Sequence, residues 1–147
     1  MPNGMEASDV TTTTSPSSVP PGMARLAVTD SVAAAVARLE AALTARELRV
    51  FARIDFAADA AAAGLAMPPA QLLVFGQPRA GTPLMVAAPT VALDLPLKIV
   101  VYEDSRGAVW VGYNTPEYLA ERHNVPADLL ANIGAVRGLA GIAAGTA

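Results

Sequence analysis

The 147 residues suffice for one domain, and a hydrophobic share of 53% is enough for a single core, although alanine supplies much of it. A formal net charge of -3 and a pI near 5.0 leave no basic face dense enough for phosphate backbones, so nucleic acid is not an expected partner. With no cysteine there is no disulfide framework, thiolate metal site or cysteine nucleophile, which suits a reducing cytoplasm.

Met1 to Pro21 holds Glu6, Asp9, a Thr/Ser run and several prolines, and lacks the basic-then-apolar order of an export signal. Residues 1–22 offer little apolar surface to offset the entropy of ordering, so they read as a disordered tail before a single domain over 23–147. No membrane span is expected: the most apolar run, Ile133 to Ala144, is short and carries Arg137.

Ala24, Leu26 and Val28 alternate with their neighbours and predict a first strand. Asp30 or Ser31 can cap a helix in which Val32, Val36, Leu39 and Leu43 form one apolar stripe. Leu48 to Phe56 predicts a second strand, with Val50, Ala52, Ile54 and Phe56 on one face. A short helix follows over Ala57 to Ala66, limited by Gly64, Pro68 and Pro69, and then a third strand over Gln71 to Phe75. The turn Gly76 to Thr82 leads to a helix that Thr82 caps, with Pro83 in its first turn, and that Pro89 closes.

Leu97 to Glu103 and Val109 to Asn114 predict a hairpin joined by Asp104, Ser105, Arg106 and Gly107. Thr115 and Pro116 open a helix over Glu117 to Arg122, and Pro126 to about Ala143 predicts a last one. The order β-α-β-α-β-α-β-β-α-α is that of an α+β fold: a mixed sheet of about five strands with packed helices, two-layered or sandwiched.

The strands are apolar on both faces. If Val50, Ile54, Leu72, Val74, Ile99, Val101, Val109 and Val111 face the helices, the other side receives Phe51, Leu73, Phe75, Val100, Tyr102 and Trp110. Either helices cover both sides or one face meets a ligand or a second copy of the chain, which makes a homodimer through that face an expected assembly.

The blocks FARIDFAADA, LLVFGQPRAGTPLM, APTVALDLPLKIVVYED and VWVGYNTPEYLAERH, in this order and spacing from about Val28 to Val125, resemble the domain-of-unknown-function family 302. The resemblance implies a compact α+β domain and a dimeric assembly, and names no reaction or cofactor. The family pattern has a histidine after an I-D pair where Phe56 follows Ile54 and Asp55 here, so a role needing an imidazole at that position is absent from this chain.

The leading candidate site is Gly76 to Leu84, where a glycine turn feeding a helix start would present backbone N–H groups to an anion, with Arg79 adding a guanidinium fork. Gly76 and Gly81 have the spacing of a phosphate-binding loop, but Thr82 stands where lysine is required, so that motif is rejected. Tyr113 and Asn114, before the next helix start, could line the same pocket. Asp94 and Lys98 read as a surface ion pair, and His123 as a helix C-terminal residue before an Asn124 cap. Asp55, Asp59, Asp94, Glu103 and Asp104 are too scattered for a metal site, and no serine stands in a nucleophile motif.

These residues point to a dimeric cytoplasmic module that binds a small, partly apolar or anionic molecule near Arg79, Gly81, Thr82, Tyr113 and Asn114. Two alternatives stand beside it. One is an enzyme using Asp55, Asp94 and Tyr113 with a borrowed cofactor or metal, and the other is a structural or protein-interaction domain.

Overall fold

A computed structural model describes residues 19–146, so most of the expected tail lies outside the described residues. The chain runs β1 (Met23–Val28), α1 (Val32–Ala45), β2 (Arg49–Asp55), α2 (Phe56–Ala62), β3 (Ala70–Gly76), α3 (Pro78–Ala87), a 3₁₀ helix (Pro89–Leu93), β4 (Leu97–Glu103), β5 (Val109–Asn114), α4 (Pro116–His123), a second 3₁₀ helix (Ala127–Ile133) and α5 (Ala135–Ala144). The strands form one sheet in the order β1-β5-β4-β3-β2. The α+β fold is as expected, but the sheet is not mixed: all four neighbouring pairs are antiparallel.

α1 carries the chain from one sheet edge, β1, to the other, β2. Its 14 residues, about 21 Å at the helical rise, let it cross the sheet diagonally. Ser31 Oγ caps it by accepting from the Ala34 amide at 3.0 Å, and Val32, Ala35, Val36, Leu39 and Leu43 are its buried stripe. α5 lies against α1, and most of the residues it buries are small: Ala140, Gly141, Ala143 and Ala144. Arg38 fastens the pair: its Nε and Nη2 donate to the Ala143 carbonyl at 3.1 and 2.9 Å, and its Nη1 donates to Asp30.

The expected last helix is two helices. Residues Ala127–Ala144 have the length and hydropathy of a membrane span, but the chain changes from 3₁₀ to α at Gly134, and Val136, Leu139 and Ala140 pack into the core.

The sheet register corrects the expected division of faces. Leu73 pairs with Ile99, Phe75 with Leu97 and Val101 with Val111, so these six side chains share the helix-covered face and are buried. Leu72, Val74 and Ile54 lie instead with Val100, Tyr102 and Trp110 on the opposite face, where all six are half-buried. The run QLLVF is apolar in both phases, so alternation cannot choose between them. β2 also has a register shift between Val50 and Ala52, which breaks its expected continuous alternation at Phe51.

Candidate functional site

α3 starts five residues earlier than a Thr82 cap predicts. Gln77 is its N-cap residue and Pro78 its first, while Thr82 and Pro83 lie inside it. The sequence offers two X-Pro helix starts, and the chain uses the first. This removes the expected anion cradle at Gly81 and Thr82, because the Ala80 and Gly81 amides both donate to the Gln77 carbonyl at 2.9 Å and Pro78 has no N–H.

Beside α3 is a cavity of about 270 Å³. Gly76 and Leu97, at the adjoining ends of β3 and β4, form one side; Ala80, Gly81 and Met85 of α3 form another; Leu95, Pro96, Ile133 and Phe51 complete it. The bulge carries Phe51 there, with the Arg49 guanidinium 4.9 Å from its ring centre. Gln77, Thr82 and Asn132 supply polar atoms, and Asn132 Nδ2 ties the second 3₁₀ helix to α3 by donating to the Ala80 carbonyl at 3.0 Å.

The five expected site residues separate into three places. Gly81 and Thr82 line the cavity. Arg79 faces an adjoining open hollow with Glu47, Gln77, Pro78 and Thr82. Tyr113 and Asn114 line neither space: Tyr113 is buried on the side of Arg137, whose guanidinium pairs with Glu117 at 2.6 Å, and Asn114 is exposed opposite Met23. Phe51, Met85, Leu95 and Asn132 carry no motif that would have marked them, since the cavity draws on four separated segments.

Asp94 and Lys98 also differ from expectation. Lys98 Nζ donates to the Pro96 carbonyl at 3.0 Å, and burial pushes its pKa down against the attraction of Asp94. Asp94 instead accepts from Arg122 Nη1 at 2.9 Å and lies 2.5 Å from His123 Nε2. The other ring nitrogen of His123, Nδ1, is 2.9 Å from Thr90 Oγ1, and only 5% of the imidazole side chain is exposed. Asn124 adopts the expected left-handed cap at φ 56°, but His123 turns inward across the fold. Asp55 caps α2 by accepting from the Ala58 amide at 3.0 Å.

On the open sheet face Arg25 stacks over Trp110, 3.7 Å from the ring centre, and donates to the Tyr102 hydroxyl at 3.2 Å. Trp110 Nε1 donates to Asp104 at 3.0 Å, and this bond, with the Ala108 and Arg106 amides, holds the Asp104 carboxyl below its ordinary pKa.

Two similar proteins are named as fluoride-specific ion channels, FluC 1 of Brucella suis biovar 1 and FluC 1 of Brucella abortus biovar 1. Each is 42% identical over 95 residues, 65% of this chain but 37% and 35% of their own length. The chain thus spans about a third of these relatives. The crystal structure of an uncharacterized conserved DUF302 protein from Bacillus stearothermophilus superposes with a TM-score of 0.69 at 19% identity, covering 86% of this chain and 98% of that one, and so shares the fold. The family model described as "Domain of unknown function DUF302" matches residues 24–137, and the chain belongs to that family.

Proposed function

We propose that the chain is a binding module that takes a small, largely apolar molecule in the cavity between α3, the start of β4 and the second 3₁₀ helix. The composition of the wall carries this reading: Phe51, Met85, Leu95, Leu97 and Ile133 are apolar, and a few polar groups, Gln77, Thr82 and Asn132, stand among them. At about 270 Å³ the space suits a ligand of one or two rings. An acidic substituent on it would meet Arg79 in the adjoining hollow, which keeps the anionic preference in modified form. A cytoplasmic setting belongs to this reading and rests on the cysteine-free sequence.

Gly81→Leu tests the proposal, because a Cβ at Gly81 meets only the end of Met85, at 3.9 Å, and a larger side chain would fill the cavity. Indole at 100 times its dissociation constant should add about 2.7 kcal/mol to wild-type stability. No shift with indole or a metabolite panel, or an equal shift in Gly81→Leu, would sink the assignment.

A second reading, self-association through the open sheet face, is favoured by its half-exposed Ile54, Leu72, Val74, Val100 and Trp110. The likeness to proteins named as fluoride-specific ion channels suggests an accessory role beside ion transport. Deleting the domain from the Brucella suis channel and measuring fluoride efflux tests that role: unchanged efflux and regulation would count against it.

A further inference from the structure

We propose that Thr90, His123 and Asp94 form a nucleophilic relay that accepts acyl groups from small activated esters, an activity separate from ligand binding in the cavity. The three side chains come from the first 3₁₀ helix, the end of α4 and the residue just after the 3₁₀ helix. His123 stands between the other two, with Nε2 2.5 Å from Asp94 and Nδ1 2.9 Å from Thr90 Oγ1.

The tautomer follows from the partners. An ionised carboxylate only accepts, so in the neutral ring Nε2 carries the proton and donates to Asp94. Nδ1 is then the acceptor, and the Thr90 hydroxyl donates to it. This is a hydroxyl facing its general base, with the base oriented by a third group. Arg122 donates to the same Asp94 oxygen at 2.9 Å and keeps that carboxylate in place.

The surroundings set the substrate class. Thr90 is exposed while His123 and Asp94 are largely covered, with 5% and 15% of their side chains accessible, so the relay reaches solvent at its nucleophilic end. Residues three apart eclipse each other in a 3₁₀ helix, which sets Leu93, 71% exposed, beside Thr90. An uncharged, short acyl chain fits against that leucine.

In the reaction, Thr90 Oγ attacks the ester carbonyl carbon and its proton passes to His123 Nδ1. The imidazolium is stabilised by Asp94 through Nε2–H. The carbon–oxygen bond to the leaving alcohol then breaks, and the alcohol takes the proton from Nδ1. Water, deprotonated by the same nitrogen, hydrolyses the threonyl ester and restores Thr90 with release of the carboxylic acid.

p-Nitrophenyl acetate is the probe, read by p-nitrophenolate release and by mapping the acetyl group in peptides. The acetyl group is expected on Thr90. Thr90→Ser should keep turnover, whereas Thr90→Val and His123→Gln should lower it by about a hundredfold or more. Asp94→Asn, at a positioning residue, should lower kcat with KM unchanged. Thr90→Val alters an exposed side chain of similar shape, and an unchanged thermal midpoint will show that it folds. Acetylation confined to lysines, or wild-type turnover in Thr90→Val, overturns the proposal.

Discussion

Gly22 shows how a single position can be fixed by its surroundings. Its φ is +84°, and a Cβ built there would overlap the Tyr118 ring. Gly22→Ala should therefore cost about 1–3 kcal/mol, read by denaturant unfolding. Asp104 supports a prediction in pH. Its folded pKa is depressed, chiefly by the Trp110 hydrogen bond, so its stabilising contribution is present above the unfolded value and lost as pH falls through the folded one. Below about pH 4 the wild-type thermal midpoint should fall more steeply than that of Asp104→Asn. Parallel profiles would show that the bond does not favour the charged form. Residue chemistry was legible in sequence where the partner is local, as at Asn124 and at Ser31, which caps α1 three residues on. It was illegible at His123, whose partners Asp94 and Thr90 lie 29 and 33 residues away.

Among the elements, the β4–β5 hairpin has the predicted bounds, because two runs rich in β-branched and aromatic residues flank a turn-forming Asp104–Gly107 and leave little else to form. α1 is equally plain in its stripe. α3 was misplaced because two prolines compete to start it, and the end of the chain was read as one helix because the change at Gly134 is a matter of packing rather than of periodicity. Gly81 makes α3 testable: its φ is not positive and its Cβ position is open, so Gly81→Ala should stabilise the protein by about 0.5–1 kcal/mol through helix propensity alone. A loss of stability would mean that the cavity wall does not tolerate even a methyl group. On α1, Leu39 is fully buried, and Leu39→Ala should cost about 2–5 kcal/mol.

Across the whole molecule, two layers of helix and sheet leave one apolar sheet face half-exposed; that both faces are apolar was legible in the strands, but whether helices cover both was not. Which residues occupy it was not, since the phase of β3 depends on its pairing with β4. Val100→Asp places a charge on β4, the central strand, on that face. Light scattering should show wild-type dimers and mutant monomers, while a monomeric wild type would leave the face without the proposed partner. The cavity was only half legible, through Gly81 and Thr82, because its remaining wall is assembled from segments far apart in sequence. Its occupancy is the central claim, and diffraction from crystals soaked in indole tests it most directly. Ring density is expected between Phe51, Met85 and Ile133 in the wild type and not in Gly81→Leu; an empty cavity in both, with indole bound elsewhere or nowhere, would contradict it.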